Sequence, residues 1–263
     1  TFTNAGTTTA TENAAYTYTP TVNDADGDLA NVIGTNLPSW LTNTSSTGSQ
    51  GTISAFAGVS EVAGYSNDSA QATTANLNAP VKVATDSNNN VYVADTRNFR
   101  IRKIATDGVI TTVAGNGSWG TPVEGATATA TPINANGIAI DSNNNIYFTD
   151  FIFNKIYKVG TDGKIHIYAG NGSSATSGDG GQATSAGVAR PKGLAFDKND
   201  NLYISSYTSY VIRKIAPDGV ISTIAGDGTY GYSPDGTDAL SAQIGIIPFL
   251  DVDVNGNIYL CDT

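Results

Sequence analysis

Residues 137–169 read GIAIDSNNNIYFTDFIFNKIYKVGTDGKIHIYA, and this stretch decides the fold. It divides into four short runs rich in β-branched and aromatic residues: Gly137–Asp141, Ile146–Asp150, Lys155–Val159 and Lys164–Ala169. Runs of this length bounded by Asn, Asp and Gly are strands. The segment Asp141-Ser142-Asn143-Asn144-Asn145 joins the first two as a tight hairpin of residues that tolerate left-handed backbone. Thr161-Asp162-Gly163 turns the chain between the last two.

The same pattern recurs along the chain. GTISAFAG begins at Gly51, GVITTVAG at Gly108, GKIHIYAG at Gly163 and GVISTIAG at Gly219, spaced by 57, 55 and 56 residues. In register with them stand VATDSNNNVYVAD ending at Asp95, IAIDSNNNIYFTD ending at Asp150 and LAFDKNDNLYISS ending at Ser206, with VDVNGNIYLCD ending at Asp262. A third string reads RIRKI at 100–104, KIYKV at 155–159 and VIRKI at 211–215. Four strands per period, repeated, make the blades of an all-β propeller.

The motifs Gly178-Asp179-Gly180-Gly181-Gln182-Ala183 and Pro191-Lys192-Gly193-Leu194-Ala195-Phe196-Asp197 carry a resemblance to the NHL-repeat family of β-propellers, over residues 51–263. The resemblance implies a ring of six blades when complete, of which about 3.5 are expected here. Expected blades cover about 80–114, 136–169 and 192–225, with a truncated blade at 248–263 and a closure strand at 52–57. A half ring exposes faces that neighbouring blades should bury. The remaining part of the same polypeptide, or another subunit, is therefore expected to close it. Residues 1–50 stand outside the repeat. Thr11–Asp28 and Leu37-Pro38-Ser39-Trp40-Leu41 are similar to the front half of cadherin-like, dystroglycan-type Ig modules, which implies a partial β-sandwich followed by a polar linker.

Composition narrows the function. Charged residues make up only 14% of the 263, with 13 Lys and Arg against 23 Asp and Glu and a net charge of −10. No dense basic stretch exists to meet phosphates, so nucleic acid is not an expected partner. No apolar run reaches the length of a membrane span. A single cysteine excludes an intrachain disulfide framework. Low charge, Thr/Asn/Gly richness and four N-x-[ST] sequons (at Asn43, Asn67, Asn116 and Asn171) point to a secreted or cell-surface protein, bacterial in character.

Candidate sites follow from residue chemistry. Asp24, Asp26 and Asp28 around Gly27 supply hard oxygen donors at alternate positions, as Ca²⁺ prefers. The Ig-module resemblance implies that an acidic residue near the first strand assists, and Glu12 occupies the matching position. A solvated acidic turn explains the same pattern equally. The repeated Asp-x-Asn-x-Asn of the hairpins is read as turn chemistry rather than an ion site. The sole histidine, His166, aligns with Ser54, Thr111 and Ser222 on the polar side of an outer strand. One His cannot assemble the histidine-ligated zinc of lyase-type propellers. Cys261 aligns with Ala94, Thr149 and Ser205 and is read as a small packing residue.

The loops that follow each Ala-Gly motif run about 20 residues, long enough to carry function. They hold Tyr65, Trp119, Tyr230 and Tyr232, with Asp179 and Asp235 nearby. Rings on a rigid scaffold suit a protein or glycan partner, although each could instead cover the apolar edge of its own loop. The expected function is a non-enzymatic, extracellular binding or scaffold protein, such as an adhesin or surface-assembly component. The alternative is a propeller enzyme, a lyase or hydrolase, whose catalytic residues lie in missing blades.

Overall fold

The structure, a computed structural model, describes residues 54–66 and 68–261. The Ig-like reading of residues 1–50, together with Glu12, Asp24, Asp26 and Asp28, lies outside the described residues. Of the expected closure strand, residues 54–57 are described, and they belong to no strand.

The strands are β1 (Ala70–Gln71), β2 (Pro80–Thr85), β3 (Val91–Asp95), β4 (Arg100–Ile104), β5 (Val109–Ala114), β6 (Ile138–Ile140), β7 (Ile146–Asp150), β8 (Lys155–Val159), β9 (Ile165–Ala169), β10 (Pro191–Phe196), β11 (Leu202–Ser206), β12 (Ile212–Ile215), β13 (Ile221–Ala225), β14 (Leu250–Val252) and β15 (Ile258–Leu260). They form antiparallel sheets in the orders β1-β5-β4-β3-β2, β6-β7-β8-β9, β10-β11-β12-β13 and β14-β15. These are the meandering sheets of an all-β propeller, and we call them blades A, B, C and the two-stranded D.

Side-chain alternation explains why the blades stack. Successive residues of a strand point to opposite faces, so each strand feeds two different seams. In β7, Ile146 and Phe148 pack with Tyr92, Ile101 and Ile138 in the seam between A and B. Tyr147, between them in sequence, packs with Leu194, Leu202 and Ile204 toward C. All five residues of β7 and of β11 are buried, as expected of strands covered on both faces. The first strands β2, β6, β10 and β14 touch in succession and are the inner ones. Gly137 belongs there because a Cβ would collide with the carbonyl oxygen of Lys192 on the next blade.

Two repeated hydrogen-bond devices lock this stack. In the first, the hairpin aspartate accepts four bonds. Asp141 Oδ1 takes the N–H groups of Asn143 and Asn145 at 3.0 and 2.8 Å, and Oδ2 takes Asn145 Nδ2 at 2.7 Å and the Tyr147 hydroxyl at 3.0 Å. Asp86, Asp197 and Asp253 repeat the arrangement. Burial works against the Asp86 carboxylate, but its Asn90, Tyr92 and Asn88 bonds outweigh that and its pKa is lowered. Turn chemistry thus accounts for Asp-x-Asn-x-Asn. In the second device, an alanine in a single 3-10 turn bridges two blades. Ala128 donates its N–H to Gly163 O of blade B (2.9 Å), while its carbonyl accepts the N–H of Gly115 at the end of blade A (2.8 Å). Ala183 does the same between blades B and C, Ala72 joins Gly108 of blade A to Gly58 in the same way, and all three are buried.

Candidate binding face

Two sets of loops meet at one end of the blades. Long loops follow Ala57 and leave the fourth strands after Ala114, Ala169 and Ala225, and the short loops leave the second strands at 96–99, 151–154 and 207–210. Ring contacts tie them together: Trp119 lies 5.5 Å from Phe153, and Tyr230 lies 5.4 Å from Tyr210. Each long loop starts with the glycine of the Ala-Gly motif. Gly115 has φ +88, and a Cβ there would strike the Phe99 carbonyl, so only glycine lets the chain leave the strand in this direction.

The four sequence-predicted rings differ in availability. Tyr65 is partly covered, with the Arg100 guanidinium 3.8 Å and that of Arg102 4.9 Å from its ring centre. Trp119, Tyr230 and Tyr232 are 54%, 58% and 77% exposed. Trp119 and the two tyrosines stand on different long loops, and the loop between them, Ser173-Ser174-Ala175, carries no ring. Asp179 is not a free acid of this face, because it is bonded to Arg213 Nε at 3.1 Å and to the Thr223 N–H at 3.0 Å. Burial alone would raise its carboxyl, but those bonds win and hold it below the usual range. Asp235 is exposed.

Nearer the axis lies a group that sequence reasoning missed. Phe151 and Tyr207 open the second-to-third-strand loops of blades B and C and meet edge to face at 5.3 Å. Arg190 stands 5.3 Å over Phe151, and Lys192 stands 4.7 Å over Tyr207. Lys82 of blade A reaches to 5.8 Å from the ring of Phe249, which abuts Gly193. The available signal was the alignment of Phe151 and Tyr207 with Thr96, two rings where the first repeat has none.

Other polar residues serve the scaffold. Arg102 is fully buried against Asp68 (3.0 Å) and Asp95 (3.7 Å). Arg213 is buried against Asp179 and the carbonyls of Gly187 and Ser177. His166 sits exposed on the outer strand β9, with Nδ1 2.6 Å from Glu124 Oε1. Cys261 is exposed rather than packed. In two of the sequons, Asn116 and Asn171 donate Nδ2 to the carbonyls of Ala130 and Ser185 and accept the N–H groups of Ser118 and Ser173. Among the described residues no cluster of three His, Cys, Asp or Glu side chains is arranged to hold a metal, and no helix is long and apolar enough to cross a membrane.

Comparison with known proteins agrees with the propeller fold. Residues 77–104 match the NHL repeat, and residues 171–244 match the teneurin NHL domain. An auxiliary nutrient binding protein from Bacteroides ovatus is similar in structure, with a TM-score of 0.52 at 17% identity, covering 74% of this chain and 52% of that one. Streptogramin B lyase aligns at a TM-score of 0.43 and 16% identity over 70% of this chain, and the nidogen/laminin complex at 0.47 and 19% over 71%. The chain spans about half the length of these structures, 48% of the lyase and 56% of the nidogen/laminin chain. Repeat register, antiparallel blades and two separate matches agree: residues 77–104 and 171–244 are similar to NHL repeats, set in an all-β fold of propeller blades.

Proposed function

We propose that this protein is a non-enzymatic binding or scaffold protein, secreted or on the cell surface, that presents its loop face to a protein or glycan partner. Because one fold serves both a lyase and a nutrient-binding protein, function has to be read from side chains. The observation that carries the reading is the exposure of Trp119, Tyr230 and Tyr232 on loops whose ends are bonded to rigid blades. Large rings held outward at little conformational cost are the anchors of binding surfaces. Trp119 packs one side on Phe153 and leaves over half its surface to solvent, so it is positioned without being consumed by the core. Two groups suited to proton chemistry are engaged elsewhere: His166 pairs with Glu124 on the outer strand, and the hairpin aspartates are saturated by their own turns.

The test is a glycan and extracellular-protein binding screen with the full chain, repeated with Trp119→Ala and Tyr232→Ala. Loss of a ligand by at least about tenfold in either variant, with an unchanged melting temperature, is expected. A ligand bound equally by all three proteins would remove these rings from the site.

A further inference from the structure

The charge distribution at the axial end of the loop face narrows the partner. Several other cations have structural employment. Arg102 and Arg213 are buried in ion pairs, Arg100 bonds the carbonyls of Asn98 and Asn116, and Lys103 and Lys158 lie over Tyr92 and Tyr147 within their own blades. Lys82, Arg190 and Lys192 differ. Like every Lys and Arg except Arg102 and Arg213, they have no carboxylate within 4.0 Å among the described residues, and what sets them apart is where they meet. Arg190 and Lys192 lie over Phe151 and Tyr207, which touch, and Lys82 lies over Phe249, whose Cα abuts Gly193 next to Lys192; Arg190 is exposed.

The backbone holds this strip in place. Arg190 takes a left-handed conformation (φ 41), with its N–H bonded to Asn154 Oδ1 at 2.9 Å and its carbonyl accepting the Tyr207 N–H at 3.1 Å. One bond reaches back to blade B and the other stays in blade C, so the strip straddles their seam. A residue at positive φ that is neither Gly nor Asn is uncommon and is kept only where surrounding contacts fix it.

We infer that Lys82, Arg190 and Lys192, with Phe151, Tyr207 and Phe249, form a subsite for the carboxylates of a uronate-bearing, acidic glycan. The inference deepens the loop-face reading above and rests on it. A flat sugar ring offers C–H faces to aromatic rings, while its carboxylate takes the guanidinium or ammonium beside them. The low density of positive charge fits one carboxylate per sugar. It does not fit a phosphate backbone, which needs clustered Lys and Arg, and a net charge of −10 weakens binding of any polyanion away from the strip. Three cations within one screening length of the ligand act locally in spite of that net charge.

The test compares polygalacturonate with its methyl-esterified form, the same sugar without the charge, and with poly-L-glutamate, by titration against the full chain. Wild type should bind polygalacturonate, weaken by about tenfold or more on esterification, and weaken similarly in the Arg190→Asn/Lys192→Gln double variant. Asparagine is chosen at 190 because it tolerates left-handed backbone. If the double variant melts below wild type, Lys82→Gln on blade A, which leaves that seam untouched, decides by the same comparison. Equal binding of free and esterified polymer, binding indifferent to both variants, or no binding at all overturns the uronate subsite. Poly-L-glutamate bound as tightly as polygalacturonate also overturns it, in favour of an acidic protein. The broader loop-face reading fails separately, only if Trp119→Ala and Tyr232→Ala leave every ligand's affinity unchanged.

Discussion

Blades A and B are built on the same string of residues yet solve one buried electrostatic problem in opposite ways. Both end the second strand with a fully buried aspartate, Asp95 in A and Asp150 in B. In blade A, Asp95 faces Arg102, which also reaches Asp68 in the long loop. In blade B the position of Arg102 is taken by Tyr157, and the position of Asp68 by Glu124, which turns outward to His166 and the Ile167 N–H. Asp150 is left with bonds to one oxygen only, from Ile152 N, Phe153 N and Asn134 Nδ2. Its Oδ2 and the Tyr157 hydroxyl are buried without partners. Burial raises the pKa of both aspartates, against bonds from Asn78 and Asn98 in Asp95 and from Phe153, Asn134 and Ile152 in Asp150. The lesson is that a repeat keeps its apolar alternation while each copy tunes its polar filling, so blades of one shape differ in local stability.

The largest effect should come from making A resemble B. Arg102→Tyr removes the cation between Asp95 and Asp68 and leaves Asp95 buried without it, which should cost about 3–5 kcal/mol in urea unfolding. A loss below about 1 kcal/mol would mean that the pair is not what holds blade A. In the other direction, Asp150→Asn removes a buried charge while the amide oxygen keeps the three existing bonds, and should stabilise by about 1–2 kcal/mol at pH 7. The sign with pH follows from the raised folded pKa. The stability that Asp150 contributes in its neutral form is complete below the unfolded value of 3.8 and is lost as pH rises through the folded pKa. The advantage of Asn should therefore shrink as pH falls toward 3.8, and an advantage that grew in acid would refute the assignment.

The smallest effect belongs to the surface. Glu124→Gln breaks an exposed pair, His166 and Glu124 being 48% and 55% exposed, and should cost less than about 0.5 kcal/mol. Burial opposes the Glu124 carboxylate, but the Ile167 N–H and His166 lower its pKa, so its contribution is present above the ordinary range near 4.5 and fades as pH falls through the folded value. Melting temperatures of Glu124→Gln and wild type should differ slightly at pH 7 and converge in acid.

How much of this was legible before the structure follows from which interactions are local. The hairpin network of Asp141, Asn145 and Tyr147 spans six residues, so its chemistry is written in consecutive letters, and the strands and turns of each blade were readable from them. Trp119, Tyr230 and Tyr232 were legible as rings in long loops, but whether they face outward or cover their own loop edge was not, and their exposure is a structural finding. The axial strip was not readable. Arg190, Phe151 and Tyr207 come from two blades and meet only because the blades stack, and nothing in their own segments announces the meeting. The difference between Asp95 and Asp150 was hidden for the same reason: the deciding residue, Arg or Tyr, sits on the next strand, and the acid that meets Arg102, Asp68, is more than thirty residues away in sequence.

The most direct test of tuned, non-equivalent blades is urea unfolding of wild type, Asp95→Asn and Asp150→Asn side by side at pH 7. Both oxygens of Asp95 accept bonds, from Asn78 N and Asn98 Nδ2, and one also faces Arg102, so an amide nitrogen must confront a donor there. Asp150 has one oxygen with no donor to confront. Asp95→Asn should lose about 2–4 kcal/mol while Asp150→Asn gains about 1–2 kcal/mol. Changes of the same sign and similar size in the two variants would contradict the account.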